Sequence, residues 1–234
     1  GIKAEDGRCT IGAAVTISEV AASELLKSYI PDLPSYARLV ASEQIRHMAT
    51  LGGNVVNASP IGDMSVILLA LNAELNIMGD KKMRTVPLRD FFVGYKKIDL
   101  EKNEYIREIT FDYGTEPAIF NFEKVSKRKH LDIASVNSAI LIKTNGNEIS
   151  ECHLAAGGVS PVPLYLRRTG SFLSGKQVSA ENVMKANEIM QEEISPISDV
   201  RGSAEYKRLL LRQLLFAHFL KLFPEMADIR IEQL

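Results

Sequence analysis

Residues 133–157 read IASVNSAILIKTNGNEISECHLAAG, and this stretch decides the fold class. Ile133–Thr144 reads as a strand that turns through Asn145-Gly146, a strong hairpin signal, and Glu148–Gly157 is expected to pair back. Ala118–Ser126 supplies a strand before them, so at least three antiparallel strands follow one another. Two helices then close the chain. One is Ala180–Gln191. The other is Ser203–Phe223, with Ser203 as N-cap, Pro224 as stop, and Tyr206, Leu209, Leu210, Leu214 and Ala217 on one face. Strands followed by segregated helices make an α+β architecture.

Upstream, Thr115–Pro117 is turn-forming and sets the expected boundary, dividing the chain into 1–115 and 116–234. After the opening Gly1–Gly7, Arg8–Ala14 is expected as a strand. A helix follows with Thr16 and Glu19 in capping-box spacing, stopped by Pro31 and Pro34. A second helix is expected over Ser35–Arg46. Met48–Asp63 reads as a structured loop, and Met64–Asn72 as a short buried helix with Asp63 as N-cap. Glu74–Met78 and Met83–Pro87 form a hairpin around Gly79-Asp80-Lys81. Phe91–Tyr95 is an aromatic loop or short helix, and Tyr105–Phe111 alternates like a strand.

Composition narrows the function. The chain has 234 residues, 46% hydrophobic and 24% charged, with 28 Lys and Arg against 29 Asp and Glu. That balance is globular rather than disordered. A net charge of −1 argues against a nucleic-acid or membrane-surface role, both of which need a basic excess. No apolar run is long enough for a membrane span. No secretory leader pattern is read, and the expected location is cytoplasmic. Cys9 and Cys152 lack metal-type spacing; two unrelated reduced thiols are expected, with a disulfide between them as the alternative.

The residues with most chemical content are Ala49-Thr50-Leu51-Gly52-Gly53-Asn54, continuing through Ala58-Ser59-Pro60 to Asp63. Consecutive glycines after a hydroxyl residue let backbone amides converge on a phosphate without a cationic side chain. A tight Gly-Gly turn between helix and strand is the plainer alternative. Asp63, just before an apolar helix, is either its cap or a ligand contact. Lys124, Arg128 and Asp132, four apart, read as surface charges, and Lys127-Arg128-Lys129 as a solvated loop. His47, His130, His153 and His218 form no metal-binding pair, and neither a nucleophile elbow nor a Walker loop is present.

Taken together with Gln44-Ile45-Arg46, the run from Ala49 to Asp63 resembles the FAD-binding (medium) subunit of molybdenum hydroxylases. This family includes the flavin domains of xanthine dehydrogenase and aerobic carbon monoxide dehydrogenase. Further stretches agree in order: RCTIGAAVTISE at Arg8–Glu19, then Phe91-Phe92 with Gly94-Tyr95, then Phe122-x-Lys124 with Arg128, Asp132, Ala134 and Val136. Gly157-Gly158-Val159 and Asp199-x-Arg201-Gly202-Ser203-Ala204 complete the set. The fold so implied is the second half of a PCMH-type FAD-binding domain (1–115), followed by a carbon monoxide dehydrogenase flavoprotein-like C-terminal domain of antiparallel sheet plus helices (116–234).

The resemblance implies an oxidoreductase subunit holding FAD, with molybdopterin and 2Fe–2S clusters on partner subunits and NAD or another acceptor. It assigns Thr50, Leu51, Gly52, Gly53 and Asn54 to a pyrophosphate loop, Asp63 to the ribityl or flavin end, Ile106 to the isoalloxazine, and Lys124 to a donor or positive charge near it. No acid–base or metal-ligating residue is implied for this chain. His47, Met48 and Ile98 depart from the family pattern. The family's earlier Gly-Gly loop has no counterpart here, so a separate polypeptide supplying the N-terminal FAD subdomain is a further expected partner. A cofactor-less scaffold and a stand-alone flavin oxidoreductase are the alternatives.

Overall fold

The computed structural model describes residues 1–80, 82–114, 118–128 and 130–228. The expected boundary at Thr115–Pro117 lies outside the described residues, as do Lys81 of the hairpin turn and Lys129 of the basic cluster.

The chain opens with a hairpin, β1 (Ile2–Glu5) and β2 (Arg8–Gly12), joined through Asp6 and Gly7 at φ 50° and 74°. Two positive φ values make the Asp-Gly pair a hairpin turn, the signal that reveals a strand inside the first seven residues. Six short helices follow: α1 (Ile17–Ala22), α2 (Glu24–Tyr29), α3 (Leu33–Arg38), α4 (Glu43–Met48), α5 (Leu51–Val56) and α6 (Asp63–Ala70). Thr16 and Glu19 form the capping box of α1.

Three expectations are corrected here. The helix expected over Ser35–Arg46 is two helices, broken where Ala41 takes φ 48° and Ser42 caps α4. Pro34 lies in the first turn of α3, where its missing N–H costs nothing, so it starts a helix rather than ending one. The structured loop expected over Met48–Asp63 contains α5, because the Thr50 side chain caps it by accepting from the Gly53 amide.

The first sheet is completed by β3 (Glu74–Met78) and β4 (Met83–Pro87), the hairpin expected from sequence. After α7 (Leu88–Phe91) and the small pair β5 (Phe92–Gly94) and β6 (Lys97–Ile98) comes β7 (Tyr105–Asp112). The strand order is β1-β2-β7-β3-β4, antiparallel throughout.

The second sheet holds β8 (Ala118–Val125), β9 (Val136–Asn145), β10 (Glu148–Gly157) and β11 (Leu164–Tyr165), ordered β11-β10-β9-β8. Then come α8 (Arg167–Leu173), β12 (Lys176–Gln177) on β10, α9 (Ala180–Glu193) and α10 (Ala204–Leu222). The hairpin and the Ser203 cap stand as expected, but Asn145 ends β9 opposite Glu148. The two turn residues are therefore Gly146 and Asn147 rather than Asn145 and Gly146, and β9 begins at Val136 rather than Ile133.

This second sheet is covered on both faces. Val136, Ile140 and Ile142 join the core beneath α8–α10, while Phe122, Ala139, Leu141 and Ala155 belong to the core of the first half. Alternate residues of a strand point to opposite faces, so β9 is apolar on both. Against its inner face packs α6, with Met64 through Ala70 all buried. The buried stripe of α10 runs through Leu211, Leu214, Leu215, His218 and Phe219; Tyr206 and Leu209, expected on it, are 44% and 49% exposed.

A polar contact ties the two halves together. The Tyr36 hydroxyl of α3 donates to Asn121 Oδ1 at 3.0 Å, and Asn121 Nδ2 donates to His218 Nδ1 at 2.8 Å. His218 is fully buried and its Nε2 has no partner among the described residues; burial depresses its pKa to about 3. Cys9 and Cys152 are free and buried.

Candidate functional site

The Thr50–Asn54 bend is largely closed on its own chain. The Leu51 amide donates to Val15 O at 3.0 Å and the Gly52 amide to Ala13 O at 2.9 Å. Gly53 N donates to Thr50 Oγ1 at 3.1 Å, and Asn54 N to Thr50 O at 3.0 Å. Gly52 is glycine for packing: a Cβ there would stand 2.8 Å from Ala13 Cβ. The free amide cradle read from the two glycines is therefore corrected, since all four amides already have acceptors. What the bend leaves to a ligand is the exposed Gly53 surface, the Thr50 hydroxyl proton and the Asn54 side chain, whose Oδ1 accepts from Ser65 Oγ at 3.1 Å.

A cleft of about 520 Å³ opens beside this bend. Val40, Ser42, Ile45, Asn54 and Asp63 line it from the first half, and residues 131–134 from the second. It combines apolar walls with the polar side chains of Ser42, Asn54, Asp63 and Asp132 and lies between the first and second halves of the chain. A second cavity of about 750 Å³ shares Ser59, Ile61 and Ile133 with it and adds Tyr95, Arg201 and Lys207. Lys207 is not free to act there, because its Nζ donates to Asp199 Oδ2 at 2.7 Å and to Ile197 O at 2.9 Å.

Asp63 is the first residue of α6, but Gly62 occupies the cap position, which corrects the expected N-cap role. Its carboxylate is instead held from the second half of the chain. Lys124 Nζ donates to Asp63 Oδ2 at 2.7 Å and Asn137 Nδ2 to Asp63 Oδ1 at 2.6 Å. Lys124 Nζ also donates to Leu39 O at 2.7 Å. The Lys124 side chain is 3% exposed and that of Asp63 11%. Burial pushes the Asp63 carboxyl above the usual carboxylate range, and Lys124 and then Asn137 pull it only part of the way back.

Lys124, read from spacing as a surface charge, is thus a buried partner of Asp63 and does not itself line the cleft. Asp132 does line it. Burial pushes its carboxyl up, but the amides of Arg128 and Ile133, both 2.9 Å away, outweigh that and hold it below the usual range. Ile106 stands opposite Ile77 between β7 and β3 and is buried in the first core, away from the cleft lining. Asn137 was missed. Its signal was a polar residue inside an apolar strand, which marks a buried polar group with a partner elsewhere.

Comparison with known proteins bears on this site. Residues 1–111 match the family model of the FAD binding domain in molybdopterin dehydrogenase, and residues 122–222 that of the CO dehydrogenase flavoprotein C-terminal domain. The glyceraldehyde dehydrogenase medium chain of Sulfolobus acidocaldarius is 32% identical over 221 residues, covering 93% of this chain and 75% of the relative. The chain belongs to the flavoprotein (medium-chain) family of the molybdenum hydroxylases. Another member, the carbon monoxide dehydrogenase medium chain of Hydrogenophaga pseudoflava, is 30% identical over 215 residues, 92% of this chain and 75% of that one.

Among solved structures, carbon monoxide dehydrogenase from Hydrogenophaga pseudoflava aligns with TM-score 0.87 at 29% identity, over 92% of this chain and 75% of that chain. Quinoline 2-oxidoreductase from Pseudomonas putida 86 aligns with TM-score 0.84 at 26% identity, over 94% and 76%. The family is one of oxidoreductase subunits whose cofactor is FAD, with molybdopterin and iron–sulfur centres on partner subunits. Among the described residues, no helix is long and apolar enough to cross a membrane, and no three His, Cys, Asp or Glu residues cluster as a metal site.

Proposed function

We propose that this chain holds FAD in the cleft between its two parts, divided at 115/116, as the electron-transfer subunit of a heteromeric molybdenum hydroxylase in the cytoplasm. The carrying observation is that cleft: apolar walls, two largely buried carboxylates each held by hydrogen bonds, Asp63 and Asp132, and a polar bend beside it, in a chain whose first 111 residues match an FAD-binding domain. When bound, FAD supplies the chemistry, taking electrons from iron–sulfur clusters on a partner and passing them to NAD or another acceptor.

The chain's own residues bind and orient. Thr50, Gly53 and Asn54 meet the diphosphate through a hydroxyl, an open surface and a side-chain amide, while Leu51 and Gly52 shape the bend from beneath. Val40, Ile45 and Ile133 exclude water from a flat ring, and Asp63 accepts hydrogen bonds from its polar edge. The second cavity, which shares Ser59, Ile61 and Ile133 with the first as lining, gives the acceptor its approach.

The test is to isolate the native assembly, release its nucleotide by denaturation and identify it by chromatography. FAD in a one-to-one ratio with this chain is expected. An assembly that contains molybdenum and iron–sulfur centres but no flavin refutes the reading and leaves the scaffold alternative.

A further inference from the structure

Lys124 and Asn137 stand directly opposite each other across β8 and β9, so their side chains share one face of the sheet. Phe122 and Ala139, two residues along on the same face, belong to the core of the first half, which shows where that face is turned. Both polar side chains end on one carboxylate: Lys124 on Asp63 Oδ2 and Asn137 on Asp63 Oδ1. Asn137 Nδ2 also donates to Ile61 O at 3.2 Å. With two acceptors facing it, that end of the amide must be the nitrogen.

The other end has no partner. Asn137 is fully buried and its Oδ1 makes no hydrogen bond among the described residues. The chain has fitted itself around this atom, since a Cβ on Gly157 would come within 2.2 Å of it. An acceptor buried without a donor is unfavourable, so the side chain is held for what its nitrogen does.

We infer that Asn137 is a positioning residue for the flavin: with Lys124 it keeps Asp63 ionised and in one orientation, so that the cleft offers a fixed acceptor to the hydroxyl or imide N–H donors of the bound nucleotide. The inference rests on the reading that the cleft holds FAD. Asp63 and Ile61 line the cleft and Asn137 does not, so Asn137 acts on the cleft through the Asp63 carboxylate and, by a longer bond, through the Ile61 carbonyl; of the two only Asp63 titrates. A carboxylate has about four lone-pair directions, and the clamp leaves some of them for a ligand. Burial pushes Asp63 towards its protonated form, which would present a donor to a donor. Lys124 is the charged group packed on Asp63; Asp132, bridged to Arg128 at 3.7 Å, lines the same cleft.

Two near-isosteric substitutions test this with opposite signs. Asn137→Leu removes the donor at every pH, so Asp63 protonates more readily and FAD affinity falls as pH is lowered. In Asn137→Asp, two adjacent carboxyls share one proton. That proton restores the donation at low pH, and affinity falls as pH is raised. FAD is titrated onto the deflavinated native assembly from mildly acidic to mildly alkaline pH, with unfolding of each variant followed separately. The expected loss is about tenfold at the unfavourable end of each profile, against a flat wild-type profile. If Asn137→Asp does not fold, the uncharged Asn137→Leu decides through its slope. Wild-type affinity and a flat profile in Asn137→Leu, or slopes of the same sign in both variants, overturn the inference. Failure of the wild-type assembly to bind FAD overturns instead the assignment of the cleft.

Discussion

The two polar parts of the cleft are built in opposite ways. The Thr50–Asn54 bend is contiguous in sequence and bonds mostly to itself and to Ala13 and Val15. The Asp63 clamp is assembled from residues 61 and 74 positions away, on two strands of another sheet. A local motif can satisfy its backbone before any ligand arrives, and much of its glycine-rich composition serves architecture. A dispersed constellation exists only when the two halves dock, and its charges are set by burial.

Breaking the clamp is expected to have the largest effect. Lys124→Ala strands a buried carboxylate and lowers stability by about 3–5 kcal/mol in denaturant unfolding. Pairing Lys124→Met with Asp63→Leu is expected to cost less than Lys124→Met alone, because no unpaired charge remains. If the double variant is as unstable as the single, the ion pair is not what holds the halves at this point.

The bend sharpens the comparison through its two adjacent glycines. Gly52→Ala drives a methyl into Ala13 and is expected to cost about 1–3 kcal/mol of folding stability. Gly53 is exposed, and among the described residues a Cβ there meets only Thr50 Oγ1, at 2.9 Å, so the Thr50 cap shifts slightly while no core residue is displaced. Gly53→Asp is therefore expected to fold but to lose bound FAD, through a negative charge beside the diphosphate. Retention of FAD in folded Gly53→Asp would remove the bend from the binding site.

The smallest effect per step is electrostatic and lies at the Tyr36–Asn121–His218 contact. His218 has its pKa depressed to about 3 in the folded chain, against 6.5 when unfolded. Between these values the unfolded chain takes up a proton that the folded chain does not, so stability is lost as pH falls from 6.5 towards 3. The slope from this group is about 1.4 kcal/mol per pH unit. Unfolding free energies of His218→Gln over the same range should be flatter by that amount.

Much of the fold was legible because its signals are local. The capping box at Thr16 and Glu19, the hairpin between β9 and β10 and the cap at Ser203 each act within a few residues; box and cap stand where they were read, and the hairpin turn is displaced by one residue to Gly146-Asn147. The errors fell where neighbours decide. Pro34 opens a helix instead of closing one, and the buried stripe of α10 is turned because the sheet and the short contact with Asn121 choose which side faces inward. Of the candidate site residues, Asn54 and Asp63 reach the cleft, Lys124 reaches it only through Asp63, and Ile106 belongs to the core.

The sequence by itself determined the α+β class, most elements and the family, because periodicity, caps, turns and ordered motifs are written in short stretches. Only the tertiary structure decided that a lysine read as a surface charge is buried, that two glycines have different duties, and that an asparagine in an apolar strand grips a carboxylate. The reason is physical. Burial and hydrogen-bond partnership depend on what lies across a gap in space, and docking of the two halves brings together groups that spacing along the chain does not relate.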